Sequence, residues 1–102
     1  MKVLIETETT VPLESTFTSQ HVQTGTSTYG TLAVATDTAC TATLFQSLDG
    51  VEYTIQDVFS ISAQEAVDFS TTFQLKGQWL YLSITPSGIV EPTYTRALVK
   101  VN

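Results

Sequence analysis

Apolar and polar residues alternate with period two along most of this 102-residue chain. No stretch of helical length repeats every 3.6 residues, so the pattern predicts strands throughout. The strongest are 29–36, with Leu32 and Val34 on one side, and 66–75, with Val67, Phe69, Thr71, Phe73 and Leu75 at period two. Segment 79–85 sets Leu80, Leu82 and Ile84 against Trp79 and Tyr81. Segment 93–101 sets Thr95, Ala97, Val99 and Val101 against Tyr94, Arg96, Leu98 and Lys100. Weaker strands are expected at 2–8 and at 15–23, the latter anchored by Phe17 and Val22.

The sharpest turn signal is Asp49-Gly50, between the strands 40–47 and 51–58. Asp-Gly between β-prone runs predicts a tight hairpin, because its two central residues tolerate positive φ. Further connections are expected at 9–14, 24–28, 37–39, 64–65, 76–78 and 86–92. The result is about eight short strands separated by turns, the pattern of an all-β, single-domain antiparallel two-sheet sandwich spanning 1–102, with 1–14 as an edge strand or assembly arm. Eight strands favour a jelly-roll-like order over a seven-stranded immunoglobulin-like one, and the Cys-Trp-Cys spacing of immunoglobulin domains is absent. Strand count alone leaves both topologies open.

Composition narrows the partners. Hydrophobic residues make up 42%, enough for one packed core. Charged residues are only 14%, and β-branched Thr carries much of the polar surface. Such a surface suits protein contacts, since few charges must be desolvated. The net charge of −6, with four cations, argues against nucleic acid and against an anionic membrane. No apolar run approaches the roughly 20 residues of a membrane span. Glu6 and Glu8 interrupt the N-terminal apolar run too early for a signal peptide. A lone Cys40 forms no internal disulfide and fits a reducing compartment.

Candidate chemistry is thin. His21 is the only histidine and lacks the neighbours of a nucleophilic triad. One His and one Cys do not make a zinc site by themselves. Calcium is conceivable at Asp49 with Glu52 or Asp57, but turn chemistry accounts for Asp49 alone. Glu65 and Asp68 read as solvated acids rather than a glycosidase pair. No catalytic, metal or cofactor site is therefore expected, and the chain reads as a non-enzyme. The candidate contact residues are Val3 and Ile5 on the first strand, and the row Trp79, Tyr81, Tyr94, Arg96 and Leu98, which faces outward if Leu80, Leu82 and Ile84 face the core; the reversed register would bury the aromatics and expose the leucines. Aromatics and Arg on a sheet face resemble interface anchors, and exposed aromatics also serve sugar-binding modules.

Four segments in order carry a resemblance: Ser47-Leu48-Asp49-Gly50 followed by Tyr53, Val67-Asp68-Phe69-Ser70, Gly77-Gln78-Trp79-Leu80-Tyr81-Leu82, and Thr93 to Leu98 with Arg96. Together they resemble the small β-sandwich structural proteins of tailed bacteriophages. Tyr53 stands where a tryptophan is common in those proteins, and Tyr81 where an arginine is. The resemblance implies a virion component assembled in the host cytoplasm: capsid decoration, minor capsid, or a tail or fibre module. It implies a homo-oligomer touching other capsid or tail proteins, without a cofactor. The alternative is a carbohydrate- or receptor-binding module of a tail or fibre, with a glycan as ligand.

Overall fold

The computed structural model describes residues 2–102. Its strands are β1 (Lys2–Thr9), β2 (Phe17–Thr18), β3 (Val22–Gln23), β4 (Tyr29–Thr36), β5 (Cys40–Ser47), β6 (Ile55–Ile61), β7 (Phe69–Gln74), β8 (Trp79–Pro86) and β9 (Thr95–Val101). One short helix, α1 (Ala63–Ala66), sits between β6 and β7. The strands form two antiparallel sheets. Sheet A has the order β1-β9-β4-β7, and sheet B the order β2-β8-β5-β6 with β3 also paired to β8. With β2 and β3 counted as one broken strand, each sheet has four positions, and the chain changes sheet at every step except the β5–β6 hairpin. That order is a jelly roll.

The alternation forms the core. Leu32 and Val34 of β4, Ala97, Val99 and Val101 of β9, Ala42 and Leu44 of β5, and Leu80, Leu82 and Ile84 of β8 are all buried. Each fully buried Val, Leu or Ile side chain among them contributes about 1.5–3 kcal/mol. The register expected for 79–85 holds: its leucines point inward, and Trp79 and Tyr81 remain half-buried on the outer face.

Local differences from the sequence expectations have identifiable causes. The Asp49-Gly50 turn is not a two-residue hairpin. Pairing of β5 with β6 stops at Gln46–Ile55, and residues 48–54 form a longer loop. Gly50 takes a positive φ of 80°, but Asp49 does not. Side chains, described below, satisfy the backbone here in place of a ladder. The expected strand 15–23 is split, because Ser19 bonds to β8 in two ways. Its N–H donates to the Leu82 carbonyl at 2.8 Å, and its hydroxyl accepts from the Leu82 N–H at 2.8 Å. The expected strand 66–75 starts only at Phe69, because Ser62 and Glu65 form a reciprocal capping box that winds α1. In β1 a register shift between Val3 and Ile5 marks a bulge, and Ile5 is buried in the core.

The inward row of β5 ends on a polar residue, Gln46, which is fully buried. Its Oε1 accepts from the N–H groups of Lys76 at 2.7 Å and Gly77 at 3.0 Å. Its Nε2 donates to the Gln74 carbonyl at 3.1 Å. These groups lie where the chain leaves β7 in sheet A and enters β8 in sheet B. Gly77 fits only because it lacks a side chain: a Cβ there would come within 2.5 Å of the Ser47 carbonyl oxygen. Gln46→Leu removes all three bonds and strands three backbone groups. It is expected to lower unfolding stability by about 2–3 kcal/mol, read as a lower denaturant midpoint. An unchanged midpoint would contradict this account of the crossing.

Candidate interaction surfaces

The outer face of sheet B carries an aromatic cluster built across strands. Tyr81 of β8 lies opposite Phe45 of β5, and their rings stack at 4.6 Å and 13°. On the other side of β8, the break between β2 and β3 brings His21 against Tyr81 at 4.4 Å and 7°. Tyr81 is thus covered on both ring faces. Tyr53, from the 48–54 loop, meets His21 and Tyr81 edge-on at 4.7 and 4.9 Å. Each such pair adds about 0.5–1.5 kcal/mol beyond simple burial. The Tyr53 hydroxyl is buried with no hydrogen-bond partner, and desolvation pushes its pKa above the usual phenol value, with smaller contributions from Tyr81 and Asp49.

The loop that carries Tyr53 is shaped by two side chains. The Ser47 hydroxyl accepts from the N–H groups of Asp49 at 3.2 Å and Gly50 at 2.9 Å. It also donates to Asp49 Oδ1 at 2.9 Å. The same Oδ1 accepts from the N–H groups of Val51 at 2.8 Å and Glu52 at 3.0 Å. An Asp side chain mimicking a backbone turn in this way is an Asx-type arrangement. Gly50 then rests against the Trp79 indole, where a Cβ would come within 2.9 Å of the ring.

Sheet A presents a different outer face. Arg96 of β9 pairs with Glu8 of β1 at 3.1 Å, both largely exposed. Small residues Ala33 and Ala35 of β4 leave an open depression of about 660 Å³ beside Leu98, Arg96, Glu6, Asp68 and Phe69. A second cleft of about 350 Å³ lies where the sandwich opens between β1 and the β2–β3 edge, lined in part by Leu4, Phe17 and Val22.

The expected contact residues are therefore divided. Trp79 and Tyr81 lie on the outer face of sheet B, and Arg96 and Leu98 on that of sheet A, with Tyr94 just before β9. Two sheets of the sandwich separate them, so they do not form one surface. Val3 is exposed, but Ile5 belongs to the core and is no contact residue of the free chain. Phe45 completes the aromatic row that the sequence reading missed. Its parity was readable, since Ala42 and Leu44 point inward; the approach of His21 depends on the Ser19 irregularity, which no local pattern announces.

The candidate chemistry is engaged in structure. Cys40 is buried on the inner face, its thiol pKa raised by desolvation, whereas His21 is on the outer face, so the two do not meet. Glu65 belongs to the capping box of α1. Asp37 accepts from the Thr93 hydroxyl and N–H, which lower its pKa. Among the described residues, no group of three His, Cys, Asp or Glu side chains converges as a metal site. Comparison with protein-family models, curated proteins and solved structures finds no match to this chain.

Hydrogen bonds from the Glu52 and Val51 N–H groups, then from the Ser47 hydroxyl, hold the Asp49 pKa down to about 2, from an ordinary value of 3.8. The folded chain thus binds this proton less tightly than the unfolded chain. The stabilisation from Asp49 is complete above about pH 4 and is lost as pH falls through about 2. Asp49→Asn is expected to be less stable than the parent at neutral pH, with the gap closing between pH 4 and 2. Asp37 keeps some acid sensitivity in both proteins. Denaturant midpoints measured across pH 2–7 test this, and a constant gap would count against the assigned role of Asp49.

Proposed function

We propose that this chain is a non-enzymatic structural subunit of a virion, a capsid decoration or minor capsid component, acting through self-association and contacts with other virion proteins. The observation that carries this reading is the jelly-roll strand order with its edge strands open. Viral capsid domains use that architecture, and lectin domains do too. Fold alone does not assign function, so the surface must decide between them.

The surface favours the structural role. A sugar ring stacks on an open aromatic face, and Tyr81 has none, since His21 and Phe45 take both. Trp79 has Gly50 packed against its ring. The carbohydrate- or receptor-binding alternative thus lacks its expected platform. The chain also exposes apolar loop tips at opposite ends of the sandwich: Leu48 and Val51 after β5, Ile89 and Val90 after β8. Such positions suit contacts with several neighbours in a shell.

The protein content of purified particles made from the genome that encodes this chain tests the proposal. Recovery at a fixed copy number relative to the principal shell protein is the expected result. Absence from intact particles would overturn it.

A further inference from the structure

The four sheet edges differ in how they are guarded. A flat, uncharged strand edge invites pairing with another chain, and charges, bulges or shortness discourage it. In β1 there is a bulge after Val3, three charged residues (Lys2, Glu6 and Glu8), and Glu8 is already held by Arg96. The β2–β3 edge is broken into two-residue pieces. In β6 the register with β5 is regular, and Asp57 lies on the strand. Strand β7, Phe-Ser-Thr-Thr-Phe-Gln, has no charge, no proline and no register shift against β4.

Its free backbone groups can be assigned. The Leu75 N–H donates to the Thr28 carbonyl at 2.9 Å, on the β4 side. Antiparallel hydrogen bonding alternates along a strand, so Phe69, Thr71 and Phe73 also bond toward β4. Ser70, Thr72 and Gln74 then turn their N–H groups to the open edge, and all three residues are exposed. Two edge carbonyls already have a partner: that of Gln74 accepts from Gln46 at 3.1 Å, and that of Thr72 accepts a long, solvent-exposed bond of 3.4 Å from the Thr71 hydroxyl, which can rotate away when a strand pairs there.

We propose that a second copy of this chain pairs antiparallel with β7, with the two-fold axis at Thr72, so that two copies of sheet A become one continuous sheet. This rests on the reading of the chain as a self-associating subunit and names the edge it uses. Face matching restricts the register to steps of two residues, because a one-residue slip would turn core positions outward. With Thr72 opposite Thr72, Ser70 faces the second copy's Gln74, and Phe69 and Thr71 continue the inner row against its Leu75 and Phe73. Asp68 then lies opposite the second copy's Lys76, twice by symmetry. Both are exposed, and among the described residues the ion pair is Glu8–Arg96, so neither is already matched. A shift by two residues sets Asp68 against Gln74 and loses the charge match. In β6, centring on Asp57 would set like charges together.

Sedimentation of the full chain across concentration tests the proposal. The parent is expected to dimerise. Asp68→Lys and Lys76→Glu each set like charges across the two-fold and are expected to weaken the dimer about tenfold. The double variant, Asp68→Lys with Lys76→Glu, is expected to restore it. Thr72→Pro deletes the two N–H donors at the axis and is expected to leave a folded monomer by circular dichroism. The charge reversals flank the strand, so they decide the matter even if Thr72→Pro does not fold. A parent that stays monomeric overturns the proposal. An oligomer unmoved by all of these variants also overturns β7 pairing, yet leaves self-association standing; recovery in particles is a separate measurement.

Discussion

Gln46 holds the two sheets together where the chain crosses between them. A small sandwich has one layer of inward side chains from each sheet, and at its ends backbone must pass across that layer. Buried backbone groups without partners are costly, so each crossing needs a local supply of hydrogen bonds. At the β7–β8 crossing one glutamine supplies three, and Gly77 lets the crossing pass directly over Ser47. The Thr24 hydroxyl adds a fourth by donating to the Gly77 carbonyl at 3.1 Å. At the opposite end, the Thr36 hydroxyl donates to the Tyr94 carbonyl at 2.8 Å, and Asp37 accepts from Thr93. The Thr-rich composition thus has a structural use: short hydroxyl side chains close the ends of the sandwich without adding charge.

The central strands were legible from the sequence because their pattern is local. Period two in 29–36 and 79–85 set both the strands and their inward faces, and the structure places Leu32, Val34, Leu80, Leu82 and Ile84 in the core accordingly. The choice of jelly-roll order depends on which strands pair, which alternation does not encode. The edges were read less well. In β1 the bulge reverses the parity between Val3 and Ile5, so the two do not share a face as strict alternation predicts. Asp49-Gly50 has the composition of a tight turn, but Ser47 and Asp49 offer the backbone a competing set of side-chain bonds, and these open the turn into a loop. Local composition reported that the chain reverses there; it did not report which groups satisfy the reversal.

The aromatic residues show the same division between direction and contact. Their outward direction was readable on β8, but their availability was not. Tyr81 meets Phe45 from one neighbouring strand and His21 from the other, and Tyr53 closes the cluster from the loop. The rings spend their faces on one another and secure the 48–54 loop to sheet B. An aromatic row that looked like a binding platform is in large part an internal brace on an outer face.

That brace shifts attention from the sheet faces to the sheet edges. A jelly roll built from two open sheets leaves four edge strands, unlike a closed barrel. Charge is scarce in this chain, so its placement carries information. Three of the charged residues sit on β1, beside a bulge, and Glu8 is tied to Arg96. The same chain leaves β7 flat and neutral, with Asp68 before it and Lys76 after it. Guarding one edge of sheet A while leaving the other open gives that sheet a direction for growth. Two copies joined at β7 would each present a guarded β1 edge outward, so pairing would stop at two rather than run on into a fibre.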